Sequence, residues 1–244
     1  MSVISLSHIS KSFATKPKPL VALADITLAI EEGEICVFIG PSGCGKSTLL
    51  RIMSGLDRGY EGTSVFGEGM TQRDIGFVFQ QFALLPWLTV FQNVALPLIA
   101  RKVPVREIHH RVTGELTRRG LKDFAKNYPH ELSGGMRQRV GIARALITEP
   151  KILFMDEPFS ELDSFTAEEL RHELLGIWQE RKFTVILVTH NITEAVQLGD
   201  RIAVFTPRPG RVEKILVNIL PRPRTKRSEG FYKLEDEIAE IIKP

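Results

Sequence analysis

Gly40-Pro41-Ser42-Gly43-Cys44-Gly45-Lys46-Ser47-Thr48 is the stretch from which the rest of the chain is read. It matches the P-loop pattern, with Gly40 and Gly45 at the fixed glycines and Lys46-Ser47 closing the motif. A pattern this short needs its flanks. Before it runs Ile35-Cys36-Val37-Phe38-Ile39, apolar and rich in β-branched residues, which reads as a buried strand. After it, Leu49, Leu50 and Met53 are strong helix formers, with Gly55 as a stop. Strand, glycine loop and helix give a context in which backbone N–H groups turn inward around an anion. Lys46 supplies a point charge for β- and γ-phosphates, and the Ser47 hydroxyl suits Mg2+. The loop is expected to bind a nucleoside triphosphate.

The chain has 244 residues, 43% hydrophobic and 25% charged, an ordinary globular composition. A net charge of +3 is too small to argue for nucleic acid. Met1 to Pro19 lacks an apolar centre, so no signal peptide is expected. No apolar run reaches the roughly 20 residues that cross a bilayer. The two cysteines, Cys36 and Cys44, lie in the strand and the loop, a placement that fits a reducing compartment.

Upstream, residues 3–9 and 21–30 read as strands, Ile26, Leu28 and Ile30 alternating along the second. Lys11, Ser12 and Phe13 fall in the loop expected between them. Downstream, 63–66 and 75–79 read as strands and lead to Gln80. From about Leu88 to Leu146 the pattern is helical: Ile108, Val112 and Leu116 make one apolar face, with Glu107, Arg111, Glu115 and Arg118 among them. Ser133-Gly134-Gly135 at a helix start makes a second nest of backbone donors for phosphate. Ile152 to Met155 is an apolar strand that ends in Asp156 and Glu157, one carboxylate for a Mg2+ shell and one to polarise water. Leu170, Leu174 and Ile177 share a helix face, and Thr184 to Thr189 is a buried strand ending at His190. Strands that end in chemistry and alternate with helices argue a parallel sheet with its ligand at the carboxyl edge. Pro221 to Arg227 reads as a solvated basic connection, followed by a helix over 229–242.

The P-loop, Leu132 to Met136, Met155 to Pro158 and His190, in this order, resemble the ATP-binding subunit of ABC transporters over nearly the whole chain. The resemblance implies an α/β P-loop NTPase (RecA-like) core with a mainly parallel sheet, an antiparallel β subdomain and an inserted helical subdomain. It places the ATPase domain at 1–220, the helical insert at about 81–148, and a linker with a C-terminal helix at 221–244. It implies that Phe13 stacks on adenine and that Gln80 touches Mg2+ and the attacking water. Ser133, Gly134 and Gly135 would bind the γ-phosphate of ATP held by an opposite, identical subunit. Asp156 is similar to the metal-binding aspartate, Glu157 to the general base, Asp163 to the D-loop aspartate and His190 to the switch histidine. Met136 and Glu161 depart from the common pattern, and Glu161 bears on the D-loop.

Leu84 to Val90, Pro207 to Arg211 and Leu220 to Arg224 are similar to the nitrate/sulfonate/taurine importers, whose relatives carry bicarbonate, cyanate or pyrimidine precursors. The implied function is ATP hydrolysis coupled to solute uptake, with Lys46, Gln80, Glu157 and His190 catalytic. The implied setting is the cytoplasmic face of the inner membrane, beside a transmembrane permease served by an external solute-binding protein. Phe82, Leu84, Leu85, Pro86 and Trp87 would line the groove for a permease helix. A soluble relative acting on nucleic acid or ribosomes is the alternative; such proteins carry insertions or tandem domains, and this chain has one P-loop and no internal repeat.

Overall fold

The computed structural model describes residues 1–243. In chain order it begins with strands β1 (Ser2–Phe13), β2 (Leu20–Glu31) and β3 (Ile35–Ile39), helix α1 (Lys46–Met53), and strands β4 (Glu61–Phe66) and β5 (Ile75–Val78). Helices α2 (Val90–Ala100), α3 (Val105–Arg118) and α4 (Gly134–Leu146) follow, then β6 (Ile152–Asp156) and α5 (Ser164–Arg181). The chain closes with β7 (Thr184–Thr189), α6 (Ile192–Leu198), β8 (Arg201–Phe205), β9 (Val212–Val217) and α7 (Glu229–Ile242). Two compact units result: the first joins Met1–Arg73 to the chain from Lys182 onward, and the second is Asp74–Arg181.

In the first unit β1 lies between β2 and β4, antiparallel to both. Ile26, Leu28 and Ile30 are buried while Thr27, Ala29 and Glu31 face water, the alternation expected of a half-buried strand. Strand β3 is flanked by parallel partners, β7 and β8, and β9 adds antiparallel to β8. Every residue of β3 and β7 is buried, so both read as continuous apolar runs rather than alternating ones.

The second unit pairs β5 with β6 in parallel. Gly76 in β5 makes room for a helix: a Cβ there would sit 2.6 Å from the Ala145 carbonyl oxygen of α4. Val94 and Leu98 of α2, Val112 and Leu116 of α3, and Val140 and Ala143 of α4 share one apolar core. The helical stretch expected from 88 to 146 is thus three helices with turns between them. Glu115, placed by its spacing among the polar residues of α3, is buried instead. Arg119, Arg118 and Arg181 hold it at 2.9, 3.4 and 3.3 Å, which compensates its desolvation.

The basic segment 221–227 also departs from expectation. Arg224 is 9% exposed and donates to the carbonyls of Val196, Gln197 and Gly199 at the end of α6. Arg222 donates to the Leu198 carbonyl and to Asp200. Charge and proline suggested solvent, but unsatisfied carbonyls at a helix C-terminus are natural acceptors for guanidinium groups. The terminal helix spans Glu229–Ile242, as expected.

Candidate functional site: a nucleotide site

Strand β3 ends at Ile39 and the P-loop follows without a break. Gly43 and Gly45 adopt φ of 76° and 102°, left-handed conformations that other residues take only with strain. Gly45 is doubly required, because a Cβ would come within 2.6 Å of Leu23 Cδ2 and 2.8 Å of the Ala22 carbonyl oxygen. A Cβ on Gly40 would strike Phe205 at 2.8 Å. These contacts press the loop into one shape. Lys46 is 4% exposed and donates from Nζ to the carbonyls of Gly40 at 2.7 Å and Pro41 at 2.9 Å, so its charge is held over the loop. Helix α1 starts with no side-chain cap and no acidic residue in its first turn. Its terminal donors and dipole therefore suit an anion, which makes the loop fit a triphosphate.

The sheet register brings His190 to the same edge. Ile39 pairs with Thr189 across β3 and β7, so Gly40 and His190 are the next residues along two neighbouring parallel strands. His190 is exposed. Thr189 Oγ1 donates to Glu194 Oε2 at 3.1 Å, and Asn191 caps α6 through the Glu194 N–H. The residues on both sides of His190 are thereby tied to α6.

Phe13 is the last residue of β1, paired with Leu20, and not a loop residue as its surroundings suggested. Its ring is 39% exposed, and Lys11 Nζ stands 5.0 Å from the ring centroid. Lys11 is held by Asp57 at 2.8 Å, an ion pair that keeps the Asp57 carboxyl below the usual range.

In the second unit Asp156 is the final residue of β6 and is 4% exposed. Glu157 lies past the strand with φ of 44° and closes a tight turn, its carbonyl accepting from Ser160 N and Oγ. The extended strand ends at Asp156, and the positive φ at Glu157 re-aims the chain. Positive φ at a glutamate is strain of the kind stored at functional sites. Asp156 offers a hard carboxylate oxygen, and magnesium sites use few protein carboxylates beside phosphate and water. That donor type fits Mg2+, although among the described residues no group of three His, Cys, Asp or Glu gathers as a metal cluster.

Gln80 is exposed, two residues beyond β5. Phe82 and Ala83 then both adopt positive φ. Arg144 of α4 holds that backbone by donating to the Phe82 carbonyl at 2.9 Å and the Ala83 carbonyl at 2.7 Å, and Arg137 lies over the Phe82 ring. Ser133 caps α4, its hydroxyl accepting from Met136 N at 3.3 Å. Gly134 and Gly135 open the helix in helical and not left-handed conformation, with Met136 N the donor that the serine takes. Gly135 is needed for space: its Cβ would sit 2.5 Å from Thr166 Cγ2. Asp163 caps α5, accepting from Phe165 N and Thr166 N at 3.1 and 3.0 Å. Those bonds, the Thr166 N–H foremost, hold its carboxyl below the usual range.

Sequence reasoning missed a second set of residues around the P-loop. Arg208 donates from Nε and Nη2 to the Gly43 carbonyl at 3.0 and 2.7 Å. Gly210 bonds the backbone of Ala22 and Ala24, and a Cβ there would meet the Cys44 carbonyl oxygen at 1.9 Å. In the sequence the Pro207 to Arg211 stretch stands out by its resemblance alone. Its proline and glycine marked a turn, but nothing local said which backbone that turn would touch.

A glycine loop shaped by packing, a lysine laid over it and an uncapped helix behind it define a P-loop nucleotide-binding protein. Residues 23–160 match the ABC transporter family, and the chain belongs to it. It is 43% identical over 238 residues to the aliphatic sulfonates import ATP-binding protein SsuB of Bacillus cereus, covering 96% of this chain and 94% of that protein. It is 40% identical to the nitrate import ATP-binding protein NrtD of Synechocystis, over 98% of this chain and 95% of that one. Among solved structures it resembles the dimeric ATP-binding cassette MJ0796 in a post-hydrolysis state bound to ADP and Pi. That match has a TM-score of 0.78 and 36% identity, and covers 91% of this chain and 99% of that one.

Proposed function

We propose that the chain is the ATP-hydrolysing subunit of an importer for a small solute of the sulfonate or nitrate type. What carries the reading is near full-length similarity to two import ATP-binding proteins, joined to a P-loop whose helix is left uncapped. The ATPase domain is 1–220, its helical part about 81–148, with 221–244 as an appendage. Lys46 and the loop N–H groups bind the β- and γ-phosphates, and Phe13 stacks on the adenine. Ser47, Gln80 and Asp156 would hold Mg2+, which neutralises charge on the phosphate oxygens. Glu157 orients and deprotonates the attacking water, and His190 steadies the charge that builds on the γ-phosphate.

Two copies of the chain act together, Ser133, Gly134 and Gly135 of one reaching the γ-phosphate held by Lys46 of the other, with Asp163 beside that contact. The dimeric cassette it resembles supports the pairing of two copies. Among the described residues no helix is long and apolar enough to cross a membrane. A separate permease carries the solute, docked at Phe82, Leu84, Leu85, Pro86 and the 69%-exposed Trp87. An external solute-binding protein feeds that permease, and the ATPase sits on its cytoplasmic side.

Glu157→Gln tests the assignment. Hydrolysis should fall by roughly a hundredfold or more while ATP binding survives. With ATP the variant should elute as a dimer in size-exclusion chromatography. Turnover at the wild-type rate would remove Glu157 as the base.

A further inference from the structure

The C-terminal stretch is an appendage by sequence, yet it grips the short helix that follows His190. Helix α6 has seven residues, too few to hold its shape alone. Its C-terminal carbonyls are occupied from outside. Asn218 Nδ2 donates to Val196 O at 2.8 Å and Gly199 O at 3.1 Å, and Arg222 Nη2 donates to Leu198 O at 2.6 Å. Arg224 adds bonds to Val196, Gln197 and Gly199, and both arginines meet Asp200 Oδ1, at 2.5 and 3.1 Å. Asp200 Oδ2 in turn accepts from Ile35 N at the start of β3, so the grip is anchored to the strand that carries the P-loop. The other end of α6 is held by α7: Thr193 Oγ1 donates to Glu235 Oε1 at 2.5 Å. Phe231 and Ile238 bury α7 in the same unit. Burial lowers the Arg224 pKa to about 10, the mark of a guanidinium held in place at a desolvation cost.

Both ends of α6 are therefore set by residues 218–235, and the first turn of α6 fixes Thr189 and Asn191 on either side of His190. We infer that the segment from Asn218 to Glu235 is a positioning element for His190, acting through α6, with Thr193 and Arg224 as the principal contacts. This rests on the γ-phosphate role given to His190 above. The segment touches no nucleotide group itself. Its effect falls on the rate of the chemical step and leaves ground-state binding alone.

The test is a double-mutant cycle on the full chain. Thr193→Val should lower kcat by roughly five- to tenfold with KM for ATP and Tm little changed, and Thr193→Ser should restore kcat. On a His190→Ala background the same Thr193→Val change should cost nothing more. Glu235→Ala approaches the contact from α7 and should reproduce the loss, while Glu235→Gln, which keeps an acceptor, should not. In the labelled protein the His190 imidazole resonances should move in Thr193→Val. Equal losses on both backgrounds, or an unchanged kcat in Thr193→Val beside a slow His190→Ala, would overturn the positioning role. A His190→Ala protein with full kcat would instead overturn the role of His190 itself, and this inference with it.

Discussion

Helices α1 and α4 both start at a glycine-containing turn, Gly45 before the first and Gly134 opening the second, and the sequence reads both as phosphate sites, yet their N-termini are built differently. At α1 the preceding Gly45 is left-handed, no side chain caps the helix, and Lys46 lies over the loop. At α4 the Ser133 hydroxyl already accepts from Met136 N, and Gly134 and Gly135 continue the helix in normal conformation. The first end has no side-chain cap and a loop packed closely against Leu23, Ala22 and Phe205. The second has one of its first-turn donors taken by its own serine. An uncapped end leaves room for the acceptor oxygens of a ligand, while a capped end has given up part of its donor set. This matches the proposed division, in which one end binds ATP and the other closes over ATP bound by a partner copy.

The comparison breaks most sharply at Gly45. Gly45→Ala places a Cβ against Leu23 and the Ala22 carbonyl at a φ that alanine resists. We expect a cost of about 3 kcal/mol at this loop and ATP affinity lower by more than roughly a hundredfold, read by fluorescent-nucleotide titration. Wild-type affinity in that variant would end the claim that the uncapped helix is the nucleotide site. Ser133→Ala sharpens the other side. Losing the cap should cost about 1 kcal/mol, seen as a lower Tm, with nucleotide affinity of the monomer unchanged. A monomer whose affinity fell would show that the α4 end serves its own chain.

The smallest effect is expected at α5, capped by a charged group. The Asp163 carboxyl is held below its ordinary range, so the stability it contributes is present above the unfolded pKa near 4 and is lost as pH falls through the lower folded value. Asp163→Asn should lower Tm slightly at neutral pH, and the gap from wild type should narrow below about pH 4. A gap independent of pH would assign the cap to geometry without charge.

Legibility followed the range of the interactions. The P-loop, the buried strands β3, β6 and β7, and the terminal helix over 229–242 were plain, because each depends on local propensity and apolar spacing. Phe13 was misplaced because a loop and the end of a long β1 look alike when the partner strand is unknown. Glu115 was misread because its compensating arginines include Arg181, far along the chain. Arg224 was misread because a basic, proline-broken run carries no sign of the helix carbonyls it meets.

By itself, then, the sequence determined that a triphosphate loop follows a buried strand, that two carboxylates end another, and that a histidine ends a third. Those are short-range patterns, written in neighbouring residues. Only the tertiary structure decided why Gly45 and Gly210 must be glycine, that Arg208 holds the Gly43 carbonyl, and that the C-terminal segment fixes the helix after His190. Such roles depend on which backbone lies within 3 Å of a given side chain, and proximity across many residues is created by packing, not by sequence neighbours.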